Sequence, residues 1–306
     1  MKKFVLRSAI FVLALLVSIV LMMILLPYND DLLCYAQLDK DEYLANQDRQ
    51  PTIVVLGGSS CTFGYHCDMI ESEVGMPVYN AGVEAGLGGK FILDNCARNL
   101  KEGDILILGT EYSAFFEDGA YGGRPLADLV MTHYKQYHQL LNPKQWWKVL
   151  NNIPMHVCSR IIYAIAPNRD RGDSYACSHI NAHGDYVYHY GKPNKGFDLS
   201  ISSKNDVETL NRDFLNDYYS TLKGLRGRGV KVLLCPPPVA ESYYEYIVDD
   251  IKCMEQEFLA SDFPYVCTPE SMAYADTLFY DTVFHMNEGG SKKHSEDIAK
   301  IILAYL

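Results

Sequence analysis

Positive charge is what this chain is short of. Lys and Arg number 27 against 38 Asp and Glu, a formal net charge of −11. That balance argues against a nucleic-acid partner, whose phosphates need a basic surface. Phosphate-cradling spacings are missing as well. Neither G-x-G-x-x-G nor G-x-x-x-x-G-K-[ST] occurs, and GLGGK at 86–90 lacks both the early glycine and the hydroxyl after the lysine. No internal repeat and no low-complexity segment is present, which excludes a repeat array. Charged residues are only 21% and apolar ones 48%, so a proper core is available and general disorder is excluded. The nine cysteines fit no zinc ligand set, so neither a metal nor another cofactor is expected.

What is present begins at the N-terminus. Ser8 to Leu26 reads SAIFVLALLVSIVLMMILL, with only serines interrupting the apolar run. A bilayer needs roughly 20 such residues to cross about 30 Å of hydrocarbon. Lys2, Lys3 and Arg7 precede the run and Asp30 and Asp31 follow it. The positive-inside asymmetry therefore predicts a single-pass anchor over 1–27, with the N-terminus in the cytoplasm and the rest outside the cytoplasmic (inner) membrane. A cleaved signal peptide is the rival reading. The length of the run and the poor small-x-small match at Cys34-Tyr35-Ala36 favour the anchor. Outside the cytoplasm, Cys61/Cys67 and Cys253/Cys267 are the disulfide candidates nearest in sequence; buried free thiols are the plainer reading.

Residues 28–50 are polar and read as a stalk. Beyond them short apolar runs alternate with helical patterns. Thr52 to Leu56, Ile105 to Leu108 and Val230 to Leu234 are continuous apolar runs, the mark of strands buried on both faces of a parallel sheet. Lys90–Leu100, Val207–Leu225, Tyr243–Leu259 and Lys293–Leu306 carry apolar residues at three- and four-residue spacing. The pattern predicts an α/β, three-layer, doubly wound parallel sheet over 51–306. Residues 113–205 break the alternation with helical text (NPKQWWKVLNN) and a hairpin-like stretch (SHINAHGDYVYHYGK), read as an insertion over the carboxyl edge of the sheet. Trp146 and Trp147 within it fit local core or a membrane interface.

The first strand stops at Gly57-Gly58-Ser59-Ser60. Such text is good turn and N-cap chemistry and needs no further role. Nucleophilic catalysis asks for more: an imidazole to take the serine proton and an acid to orient it. Asp281 and His285, in FYDTVFHMNEGG just before the last helical pattern, supply that pair at the same predicted sheet edge.

Four blocks now resemble one family. GSSCTFG (58–64) resembles the G-D-S-x-x-x-G block of the SGNH/GDSL hydrolases, NAGVEAGLGG (80–89) their glycine block, LGTEY (108–112) their G-x-N-D block, and DTVFH (281–285) their closing D-x-x-H block with one extra residue. The blocks stand in the family's order from residue 52 to the C-terminus, the insertion aside. The resemblance implies an SGNH/flavodoxin-like fold, Ser60 as nucleophile four residues before Gly64, His285 as general base and Asp281 as its orienting partner. It implies an oxyanion hole from the Ser60 N–H and one of Gly82, Gly86 or Gly88. The family's asparagine position holds Glu111. A carboxylate there accepts hydrogen bonds and donates none, so it would repel an oxyanion unless protonated.

One N-terminal anchor before an SGNH-like domain is similar to proteins of exopolysaccharide O-acetylation and of D-alanine transfer to teichoic acid. That implies acyl-ester chemistry on a cell-envelope glycan, an acyl donor and a multi-pass membrane acyltransferase as partner. Two other readings stand beside it: a catalytically inactive SGNH-like domain that binds glycan or docks on that acyltransferase, with Glu111 as its support, and a generic α/β binding domain. The 23 tyrosines suit sugar stacking and suit a core equally.

Overall fold

The computed structural model describes residues 1–116, 118–167, 175–199 and 209–306. The elements run α1 (Lys2–Leu25), α2 (Ala36–Ala45), β1 (Ile53–Gly57), α3 (Ser59–Gly64), α4 (Cys67–Val74), β2 (Val78–Asn80), α5 (Gly89–Ala97) and β3 (Ile105–Gly109). Then come α6 (Ser113–Phe116), α7 (Arg124–Thr132), α8 (Tyr134–Tyr137), α9 (Pro143–Ile165), α10 (Arg212–Gly227), β4 (Lys231–Leu234), β5 (Val239–Ala240), α11 (Glu241–Tyr246), α12 (Val248–Leu259), β6 (Ala273–Tyr274) and α13 (Glu288–Leu303).

The main sheet is parallel throughout, in the order β2-β1-β3-β4. Its central strands IVVLG and ILILG are buried along their whole length, which is why the sequence shows continuous apolar runs there and no alternation. Right-handed crossovers dictate the layers. The step from β1 to β2 runs one way through α3 and α4, against which α13 packs. The steps to β3 and β4 run the other way, through α5 and through α10, which pack on each other. The winding therefore reverses between β1 and β3, whose last residues Gly57 and Gly109 are register partners. In an open α/β sheet the crevice beyond such a reversal is where ligands sit.

The three predicted strands and the helical stretches are present with shifted ends. The last helix begins at Glu288, because the Asn287 side chain accepts the Gly290 N–H and caps it. Tyr243–Leu259 is two helices, broken at Ile247. The run at Val207 begins outside the described residues. The stretch 178–192 is a loop carrying one antiparallel bridge, Ile180 with Tyr186. Its groups bond outward: Asn80 N–H to His183 O, Tyr186 N–H to Thr62 O, and Cys67 N–H to Asp185 Oδ2.

Residues 28–50 fold onto the domain instead of standing off as a stalk. Lys40 is wholly buried, and its Nζ donates to Asn80 O at 2.9 Å, Gly184 O at 2.8 Å and Gly82 O. Burial pushes the ammonium down to about 8. Arg49 forks onto Asp104 at 2.7 and 2.6 Å at the amino edge of the sheet. Polarity suggested a solvated segment; both cations spend theirs on buried acceptors. None of the nine cysteines is in a disulfide. Cys61 and Cys67 are buried free thiols, and Cys267 meets Cys235, with Sγ atoms 3.5 Å apart, not Cys253.

Lys2–Leu25 is one helix, long and apolar enough to cross a membrane, and none of its residues is buried. Trp146 packs against the core, whereas Trp147 is 65% exposed.

Candidate active site

The site forms where the sheet reverses. After Gly57 the chain turns at Gly58 and enters the short α3, so Ser59 and Ser60 leave the strand end about 100° apart around the helix axis. That rotation separates their fates. Ser60 turns toward β3 and is fully enclosed, at 0% exposure. Its Oγ donates to Glu111 Oε1 at 2.8 Å and its N–H to the same oxygen at 3.1 Å. Gly58 N–H donates to Oε2 at 2.8 Å. A Cβ on Gly58 would lie 2.4 Å from Glu111 Oε1, so glycine is what lets the carboxyl seat over the turn.

This corrects two expectations. The Ser60 hydroxyl does not face an open cleft, and its N–H is not free for an oxyanion. Glu111 accepts where the family's asparagine would donate. Burial raises its carboxyl above the usual glutamate range, and the bonds from Ser60 and Gly58 work against that rise.

The glycine block is similarly committed. Gly82 N–H donates to Asn80 Oδ1 at 3.0 Å and Gly88 N–H to Ala85 O at 2.8 Å. Asn80 also donates to Cys61 O and Asp185 Oδ1, so it knots the block to α3 and to the 178–192 loop. Gly86 is half-buried in the turn Ala85–Leu87. Between this block and Glu111 lies a small cavity of about 40 Å³, lined by Gly58, Ala85, Gly89, Thr110 and Ser113 among others.

The basic partner is assembled. His285 Nδ1 lies 2.9 Å from Asp281 Oδ1. Burial would raise the Asp281 carboxyl, but the bonds from His285 and Tyr175 and the charge of Lys195 hold it below the usual range. An ionised Asp281 accepts the Nδ1 proton and leaves Nε2 as the basic nitrogen, which has no hydrogen-bond partner among the described residues. Tyr175 donates to Asp281 Oδ2 at 3.1 Å and lies 3.2 Å from His285 Nδ1.

The His285 ring stacks on Phe63, with centroids 4.1 Å apart and planes 12° from parallel. Phe63 follows Ser59 by four residues and Ser60 by three on α3, so it neighbours both on the helix surface. Ser59 is half-buried, and its hydroxyl has no hydrogen bond among the described residues. Neither Ser59 nor Ser60 is hydrogen-bonded to His285. His189 completes the aromatic surround, 5.1 Å from Phe63, and burial with the adjacent His285 pushes its imidazole down to about 4. The structure therefore joins His285 with Asp281 and Ser60 with Glu111, and leaves the half-buried Ser59 at the start of the helix whose Phe63 stacks on His285.

Motif reading missed Tyr175, Phe63 and His189. Phe63 was detectable from its spacing to Ser59 once α3 was known to start there. Tyr175 reaches the site across 110 residues of chain and leaves no local signal. Fold and site together define a class, a doubly wound α/β protein with a serine turn and a His–Asp pair. Neither family models nor curated proteins give the chain a match.

Proposed function

We propose that the protein is a membrane-anchored serine esterase or O-acyltransferase acting on a cell-envelope glycan, with Ser59 as its nucleophile. The observation that carries this is the His285–Asp281 bond, its ring stacked on Phe63 of the helix that begins at Ser59, a half-buried serine whose hydroxyl is uncommitted where that of Ser60 is held by Glu111. The four blocks resembling SGNH/GDSL hydrolases support the reaction class. Ser59 Oγ attacks an acyl carbonyl while His285 Nε2 takes its proton. The same proton then goes to the departing alkoxide, leaving an acyl-serine. A sugar hydroxyl or water, deprotonated by His285, cleaves the acyl-serine and restores Ser59. Asp281 and Tyr175 fix the ring and its tautomer. The charges flanking α1 support an N-terminus inside and the domain outside, where a glycan and a multi-pass acyltransferase would meet it.

The test is turnover of a p-nitrophenyl ester by the full chain in detergent. His285→Ala and Asp281→Asn should each lower kcat by about 10²-fold or more. Turnover equal in wild type and His285→Ala would remove the proposal.

One observation favours a second reading. Glu111 occupies the Gly58 and Ser60 N–H groups that would otherwise face an oxyanion. A non-catalytic domain that docks on a membrane acyltransferase accounts for that directly. Glycan acylation in cells that needs the protein yet survives Ser59→Ala and His285→Ala would select it.

A further inference from the structure

The long helix α9 has two faces of different character. Gln145, Val149, His156, Val157 and Arg160 are buried. The exposed residues from Trp147 to Ile165 are Trp147, Leu150, Asn151, Pro154, Met155, Cys158, Ile162, Ala164 and Ile165. Only Asn151 among them is polar and none is charged. A helix face turned to water carries charges, and a soluble monomer seldom shows so long an apolar stripe.

What covers the stripe follows from its neighbour. Helix α9 packs on α1, the helix long and apolar enough to span a bilayer. Along α1 only Ile19, Met22 and Met23, with Leu26 just past its end, are partly covered. They fall in the last ~10 Å of its length. Arg160 Nη1 donates to Leu26 O at 2.8 Å, and its guanidinium lies 4.9 Å from the centre of the Tyr28 ring. With α1 across a bilayer, α9 therefore lies at the depth where acyl chains meet headgroups, and its bare stripe continues the apolar surface of α1.

A cavity of about 360 Å³ opens at this junction, lined by Tyr28, Met155 and Ile162 and by Arg124, His156 and Arg160. Its charges are uneven. Asp128 accepts from His156 Nδ1 at 2.7 Å and pairs with Arg124 at 3.4 Å. Arg160 Nε donates to His156 Nε2 at 3.1 Å, so the imidazole links Arg160 to Asp128. Two guanidiniums stand against one carboxylate beside an apolar groove.

We infer that α9 lies in the membrane interface and that this cavity takes the phosphate of an anionic phospholipid, with an acyl chain along Met155 and Ile162. The inference needs α1 in a membrane and does not rest on the esterase reading.

The test reconstitutes the full chain into phosphatidylcholine vesicles with and without phosphatidylglycerol. The chain has two tryptophans, so Trp146→Phe leaves Trp147 as the reporter. Its fluorescence should be quenched by lipids brominated high on the acyl chain and shielded from aqueous acrylamide. Native mass spectrometry should find phosphatidylglycerol retained over phosphatidylcholine. Arg124→Gln and Arg160→Gln should each lower that retention about tenfold, and Ile162→Glu should lower both retention and quenching. Because Arg160 is buried, the exposed Arg124 and Ile162 variants decide if Arg160→Gln fails to fold. Three outcomes overturn the inference: Trp147 open to acrylamide and not to brominated lipid; Trp147 shielded from both, with a second copy or a partner chain retained; or displacement of the lipid by inorganic phosphate, which would make the cavity a free-anion site.

Discussion

The imidazole of His285 lies flat on the ring of Phe63, with centroids 4.1 Å apart. Phe63 thus links the C-terminal His–Asp pair to the helix that carries the serines. Phe63→Ala removes the platform while Asp281 and Tyr175 still hold Nδ1. The expected result is a fall of about tenfold or more in ester turnover with KM little changed, and partial recovery in Phe63→Tyr. A wild-type rate in Phe63→Ala would show that the stack does not position His285.

Glu111 gives a pH signature. Its folded carboxyl sits above the usual glutamate value because of burial. The unfolded chain therefore loses this proton first as pH rises. From the ordinary glutamate value through the raised one, the group draws stability down, and above that it adds no slope. Glu111→Gln should remove this part of the dependence, seen as a difference between the two urea-denaturation profiles. The amide also sets a donor against the Gly58 or Ser60 N–H, so the variant should lose about 1–3 kcal/mol at neutral pH. Profiles that run parallel would mean Glu111 does not titrate as described.

Lys40 tests whether residues 28–50 belong to the domain. Lys40→Met removes the donor to Asn80, Gly82 and Gly184 carbonyls and should cost about 3 kcal/mol or more in urea denaturation of the full chain in detergent. A change under about 0.5 kcal/mol, the range of ordinary surface substitutions, would return the segment to a loosely attached stalk.

Cys235 and Cys267 are the cysteines whose sulfurs the fold brings together. Their sulfurs are 3.5 Å apart on neighbouring chain segments, tied by the bridge between Leu234 and Tyr265. Mild oxidation followed by peptide mapping should find this cross-link first, with Cys61 and Cys67 still alkylated after unfolding. A Cys61–Cys67 link appearing first would contradict the packing around α3.

The fold was legible where burial alone writes the text. Ile53–Gly57 and Ile105–Gly109 are enclosed on both faces, so their runs could hardly be read otherwise. Val78–Asn80 is too short to carry a pattern of its own. His285 and Asp281 were legible because their partnership is local, four residues apart. The setting of Ser60 was not: counting back from Gly64 selects it, but Glu111, 51 residues away, holds both its hydroxyl and its N–H and leaves no local signal. Lys40 and Arg49 misled in the opposite sense: a lysine and an arginine read as solvated until their buried acceptors, distant in sequence, are in view.

The most direct test of the central claim is the site of covalent attack by a fluorophosphonate ester on the full chain. Peptide mapping of the adduct should place it on Ser59, with labelling abolished in Ser59→Ala, strongly slowed in His285→Ala and retained in Ser60→Ala. An adduct on Ser60, or labelling of Ser59 that is indifferent to His285, would contradict the account.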